Sequence, residues 1–177
     1  MLSKILSKLN RLSHSRLYWS LLILASISLL VVALMYQYLL DELPCVLCIQ
    51  VRLWVSLLAI ISTIGFFTCQ TRGFNIVSNV AVVAVAAALA ERSYQLLGTE
   101  RGFIFGDCGF SAGLPQWFAI EDWLPWLYRI ETSCGYTPEL ILGITMAEAL
   151  MFLSSVLLLV GVSISIATLY KYNVKNS

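Results

Sequence analysis

The chain has 177 residues, 59% of them hydrophobic and 12% charged, with a mean hydropathy of +0.85. That is too apolar for an ordinary soluble domain and fits a small polytopic membrane protein. A net charge of +1 and a pI near 7.6 leave no electrostatic ground for a nucleic-acid partner.

Lys4, Lys8, Arg11 and Arg16 form a basic N-terminal arm ahead of the first apolar stretch, 17–40, which carries no charge. That stretch is too long for the apolar region of a secretory signal, and no small-x-small cleavage site follows it, so it reads as an uncleaved first span. The second span, 49–68, carries only Arg52. The third, 76–97, carries Glu91 and Arg92 near its far end, and the fourth, 144–170, carries Glu148 near its start. Each reaches the roughly 20 residues needed to cross about 30 Å of hydrocarbon.

Charge sets the expected orientation. The arm, the link 69–75 and the tail after Tyr170 hold Lys4, Lys8, Arg11, Arg16, Arg72, Lys171 and Lys175, whereas all ten acidic residues lie between Asp41 and Glu148. The positive-inside rule puts both termini in the cytoplasm and segments 41–47 and 98–143 outside. The expected fold is therefore an all-α, four-transmembrane-helix bundle, one membrane domain over 1–177, with a long outer loop at 98–143.

Inside that loop Trp117, Ile120, Leu124, Leu127 and Ile130 recur at spacings of three and four. With Trp123, Trp126 and Tyr128 they suggest a short interfacial helix, bent or broken around Pro125. A small subdomain packed on the bundle is the alternative. Thr137-Pro138 resembles a helix start leading into the fourth span, with Thr as N-cap and Pro at the first helical position.

The chemistry-bearing residues begin at Pro44-Cys45-Val46-Leu47-Cys48. Pro44 is compatible with a helix start, which puts both cysteines in the first turn, where unpaired N–H groups and the dipole favour a thiolate. Arg52, four residues after Cys48 and seven after Cys45, shares their helical stripe. It either stabilises negative charge there or snorkels to nearby headgroups. Cys108 and Cys134 also fall outside, near Gly106, Gly109 and Gly135, and form either a static staple or a second, exchangeable disulfide. Cys69 is left over on the cytoplasmic side, a small apolar helix-end residue.

Four cysteines can hold zinc, but Cys108 and Cys134 are isolated and the single histidine, His14, lies on the other side. No metal is expected. Glu91, Arg92 and Arg52 lie at similar depth and Glu148 opens the fourth span on the same side, with Gln95 on the face of Glu91. They form either a pocket for a polar head on an apolar tail, or ion pairs that only satisfy one another.

The segment Pro44-Cys45-Val46-Leu47-Cys48-Ile49 followed by Arg52 resembles the hallmark of the disulfide-bond formation protein B family. So do Arg92-x-x-Gln95, the pair Cys108/Cys134 with a Trp- and Pro-rich stretch between them, and Leu142-Gly143-Ile144-x-Met146. The similarity runs from about Trp19 to Tyr170. It implies an inner-membrane quinone reductase, using ubiquinone or menaquinone, that reoxidises a periplasmic thioredoxin-fold dithiol oxidase. By position, Cys108 would form the mixed disulfide with that partner and Cys134 would exchange with Cys45. Cys48 would donate to the quinone, with Arg52 holding it, and Arg92, Gln95 and Glu91 would complete its site. Two departures stand out: Val51 occupies a position where a well-known member has a carboxylate, and no outer histidine is present. Proton delivery would then use water, Glu91, Glu148 or a loop carboxylate. A vitamin K epoxide reductase-like enzyme is the alternative catalyst, although there the loop pair precedes the Cys-x-x-Cys. A non-catalytic membrane assembly factor with a braced loop is the alternative from another class.

Overall fold

The computed structural model describes residues 2–104, 120–132, 139–141 and 143–176. Four long helices, α2 (Arg16–Leu39), α3 (Val46–Thr68), α4 (Arg72–Glu100) and α7 (Met146–Asn176), follow the four apolar stretches, and all are long and apolar enough to cross a membrane. A shorter α1 (Leu2–Ser13) precedes them. Two single turns, α5 (Ile120–Trp123) and α6 (Pro125–Tyr128), and a two-stranded antiparallel ribbon of β1 (Glu139–Ile141) and β2 (Ile144–Thr145) lie between α4 and α7. The all-α bundle expected from hydropathy is the fold, with this ribbon as its only β element among the described residues.

The helices pack in the order α2, α3, α4, α7, with α1 against α7. Short links between the first three make them antiparallel neighbours. The seam between α2 and α7 is the loosest of the four, and a cleft opens there.

The core centres on Trp19, which has no exposed surface, packed with Val55, Leu58, Val82 and Ile164. Gly65 on α3 admits the indole: a Cβ there would lie inside the van der Waals surface of the Trp19 ring. Gly65→Ala is therefore expected to destabilise the bundle by about 1–3 kcal/mol through overpacking. Thermal unfolding in detergent would register this as a lower Tm, and an unchanged Tm would contradict it.

One end of the bundle is tied by buried polar bonds. The Ser13 carbonyl accepts from Trp19 Nε1 at 2.9 Å and from Asn75 Nδ2 at 2.7 Å, and His14 Nδ1 lies 2.6 Å from the Cys69 carbonyl. These bonds tie the end of α1 to α2, α3 and α4, and they satisfy carbonyls that a helix end would otherwise leave open. Cys69 is fully buried at this end.

Two elements differ from the sequence expectation, while the outer helix is broken at Pro125 as the sequence allows. The N-terminal arm is a helix: Leu6 and Leu9 are half-buried and Ser13 buried, while Lys8 and Arg11 stay exposed. The interfacial helix is two separate turns, because Leu124, at φ −133° and ψ 63°, leaves the helical region before Pro125. The expected helix start at Thr137-Pro138 lies outside the described residues, but Glu139–Ile141, which would have continued it, is strand. Gly143 turns the ribbon at φ +79°, which a residue with a Cβ rarely adopts. The fourth helix begins at Met146 because Thr145-Met146-Ala147-Glu148 is a capping box. Glu148 N–H donates to Thr145 Oγ1 at 3.3 Å and Thr145 N–H to Glu148 Oε2 at 3.2 Å.

Candidate redox site

Cys45 is the N-cap of α3, with extended φ −85° and ψ 170°, and its sulfur accepts from the Cys48 N–H at 3.4 Å. A sulfur therefore does what Ser or Asp does at most helix starts. One turn on, Cys48 Sγ lies 2.8 Å from Cys45 Sγ, so a disulfide closes with little movement. The two sulfurs differ in access. Cys45 is 1% exposed, packed with Leu47, Leu96 and Ala147, whereas Cys48 is half-buried and opens onto the cleft.

That cleft is a cavity of about 140 Å³ between α2, α3 and α7. Its walls are mostly Leu, Val, Ala and Met side chains, with Cys48 and Arg52 from α3, Tyr36 and Gln37 from α2, and Glu42 from the α2–α3 link.

Arg52 does not snorkel: it is 7% exposed and bonded on three sides. Nη1 donates to Gln37 Oε1 at 2.6 Å and to the Leu127 carbonyl at 3.0 Å, and Nη2 donates to the Ala33 carbonyl at 3.1 Å. All three acceptors are neutral, and among the described residues no carboxylate reaches ion-pair distance. Dipoles thus hold the guanidinium in place without cancelling its charge, so the cavity keeps a field that favours an anion.

The outer segment is fastened to the same helix end. Leu127 and Tyr128 are buried against Ile49, Tyr128 Oη donates to Ser56 Oγ at 2.7 Å, and Ser56 Oγ donates to the Arg52 carbonyl at 2.8 Å. Trp123 and Trp126 stay exposed, as membrane-interface aromatics do. Beyond them the Pro44 carbonyl accepts from the N–H groups of Glu131, at 3.1 Å, and Thr132, at 3.4 Å, and Thr132 forms a β-bridge with Cys45.

Of the residues singled out in the sequence, Cys45, Cys48 and Arg52 come together. Cys108 and Cys134 lie outside the described residues. Arg92, Gln95 and Glu91 bond one another, with Arg92 Nη1 donating to Gln95 Oε1 at 3.0 Å and Gln95 Nε2 to Glu91 Oε1 at 3.3 Å. None of the three is in the cavity wall, to which α4 contributes nothing. Glu148 pairs with Arg101. Sequence reasoning missed Gln37, the one amide side chain in stretch 17–40, and Glu42, whose place depends on a turn.

Fold and site together define a multi-pass membrane protein with a cysteine pair set for thiol–disulfide chemistry. Residues 15–164 match the family model for disulfide bond formation protein DsbB, and the chain belongs to that family. It is 28% identical over 147 residues to disulfide bond formation protein B of Shewanella frigidimarina, covering 82% of this chain and 87% of that protein. It is likewise 28% identical over 160 residues to that of Shewanella amazonensis, covering 90% and 95%. Against disulfide bond formation protein B 2 of Pseudomonas aeruginosa it is 26% identical over 135 residues, covering 75% and 80%. The protein is a membrane-embedded, disulfide-forming oxidoreductase.

Proposed function

We propose that the protein is an inner-membrane quinone reductase that reoxidises a periplasmic thioredoxin-fold dithiol oxidase. One observation carries this reading: Cys48 and the uncancelled charge of Arg52 open onto the same apolar cavity between α2 and α7. The wall fits a quinone in chemistry, since a lipid-soluble acceptor that gains negative charge needs apolar surface and one fixed cation. When bound, ubiquinone or menaquinone supplies an acceptor for two electrons and two protons.

The chain's own residues do the rest. Cys108, disulfide-bonded to Cys134, is attacked by a thiolate of the partner, which forms the mixed disulfide and releases Cys134. Cys134 then attacks Cys45 of the Cys45–Cys48 disulfide and frees Cys48 as a thiolate facing the cavity. The bridge from Thr132 to Cys45 supports that exchange: Cys134 follows two residues later, and two residues of chain reach at most about 7 Å. Arg52 holds the negative charge that develops beside Cys48. The basic termini and acidic loops support cytoplasmic termini and periplasmic cysteines.

The test is stoichiometric. Purified protein in lipid, given a reduced thioredoxin-fold dithiol partner and quinone without oxygen, is expected to consume one quinone per dithiol oxidised. In cells the Cys134→Ser variant is expected to hold its partner as a mixed disulfide at Cys108. Dithiol oxidation that proceeds equally without quinone would overturn the reading.

A further inference from the structure

We infer that Glu42 is the carboxylate that carries protons into the redox cavity. This assignment rests on the quinone-reductase reading. Forming the Cys45–Cys48 disulfide removes two electrons and two protons from two thiols, and the acceptor takes up the same two electrons and two protons. Electrons pass through sulfur, but a thiolate brings no proton with it, so a group at the wall must move one between water and the acceptor's oxygens.

The wall offers few candidates. The α7 side, Met146, Ala149, Leu150 and Leu153, has no titratable group. From α2 come Tyr36 and the neutral Gln37, and from α3 come Cys48 and Arg52. Arginine keeps its proton at any working pH, and a tyrosine hydroxyl, with an ordinary pKa of about 10, gives its proton up poorly near neutrality. Among the described residues Glu42 is the only carboxylate in the wall. Three acids of the neighbouring helix ends are engaged: Glu91 accepts from Gln95, Glu100 from Thr145, and Glu148 pairs with Arg101, while Asp41 is exposed and has no place in the wall.

A backbone turn puts Glu42 there. Asp41 adopts φ +52°, the left-handed region that Asp tolerates better than most side chains, and Glu42 N–H reaches back to the Tyr36 carbonyl at 3.2 Å. The chain thereby folds over the end of α2, and Glu42, Leu43 and Pro44 close the cavity at the end where Cys48 lies. Glu42 is half-buried and lines the cavity, so the residue adjoins both the cavity and solvent. It can hand a proton inward at Oε and recover one from water, which a fully buried acid could not do.

The experiment compares parent, Glu42→Gln, Glu42→Asp and Cys48→Ser, all full chain in lipid, with a short-chain ubiquinone as probe. Glu42→Gln is expected to turn over about 100-fold or more slowly near neutral pH. Its ubiquinone affinity, read by quenching of tryptophan fluorescence, is expected to stay unchanged. Glu42→Asp and added acetate are each expected to restore rate, because each supplies a carboxylate. Parental turnover with a parental pH profile in Glu42→Gln overturns the assignment. So does a slow Glu42→Gln that has lost ubiquinone affinity, or that acetate and Glu42→Asp both leave slow, since the role is then structural. A parent that consumes no ubiquinone, or a Cys48→Ser variant as fast as the parent, brings down the quinone reading itself. If instead Cys48→Ser is inactive and Glu42→Gln unimpaired, only the role of Glu42 falls.

Discussion

Arg52→Leu is expected to lower kcat/KM for quinone by about 100-fold or more, while leaving a folded protein. The loss follows from the removal of a cation that no carboxylate among the described residues cancels, beside the sulfur that opens onto the cavity. A fixed donor aimed at developing charge contributes roughly 100- to 1,000-fold to rate in sites of this kind. Stability changes less, because two opposing effects meet at this position. The Gln37 amide oxygen and the Leu127 and Ala33 carbonyls each lose a donor, at about 1–3 kcal/mol for a buried acceptor left open. Against that, a charge no longer has to be held within an apolar bundle.

Arg52→Lys separates charge from geometry. A lysine keeps the cation but not the planar fork that spans acceptors on α2 and α6 together. It is expected to retain more activity than leucine and to lose the fastening of Leu127. Steady-state assays over a range of quinone concentrations would read KM and kcat separately, and partial proteolysis of the outer segment would read the fastening. A leucine variant with parental kcat/KM would remove Arg52 from the site.

How much of this was legible in the sequence divides along a physical line. Hydropathy over 20 residues reports helices and their ends within a few positions, because lipid leaves a spanning chain no other way to satisfy its backbone. The Cys45-x-x-Cys48 spacing and Arg52 one turn further on lie on a single helix, so their meeting follows from helical geometry alone. Depth along a helix can be counted in residues, and depth alone is what groups Arg92, Gln95 and Glu91 with Arg52 in the sequence. Azimuth cannot be read in that way. It depends on which neighbour each helix packs against, and α4 lies on the side of α3 away from the cleft. The three side chains accordingly bond one another and never reach the cavity wall.

Signals resting on a few residues were harder to weigh. The capping box at Thr145 and Glu148 starts α7, yet Thr137-Pro138 offered a second start by the same rules. Gln37 is an amide in an apolar stretch, a cue that something polar must meet it. Glu42 had no cue of its own, because its position comes from one left-handed residue before it.

Cys48→Ser is expected to reduce quinone consumption to background, a loss of about 1,000-fold or more, with little change in folding. Serine fits at the third position of α3, where the side chain faces the cleft and the backbone N–H still donates to Cys45 Sγ. What disappears is the sulfur that receives the electron pair at the cavity, and an alcohol does not replace a thiolate in exchange. Cys45 cannot take over. It is 1% exposed and has no place in the wall, so it can exchange with the loop but not reach the acceptor. In the variant the Cys45 thiolate is expected to displace Cys108 from its bond to Cys134, giving a Cys45–Cys134 disulfide and a free Cys108 thiol, both detectable by peptide mapping without reduction. Cys45→Ser should leave Cys48 unable to receive electrons from the loop and accumulate no such bond. Both variants are expected to be inactive, and they differ only in where the chain of exchange stops. A Cys48→Ser protein that still transfers electrons to quinone would mean that they leave by a path other than the cleft between α2 and α7.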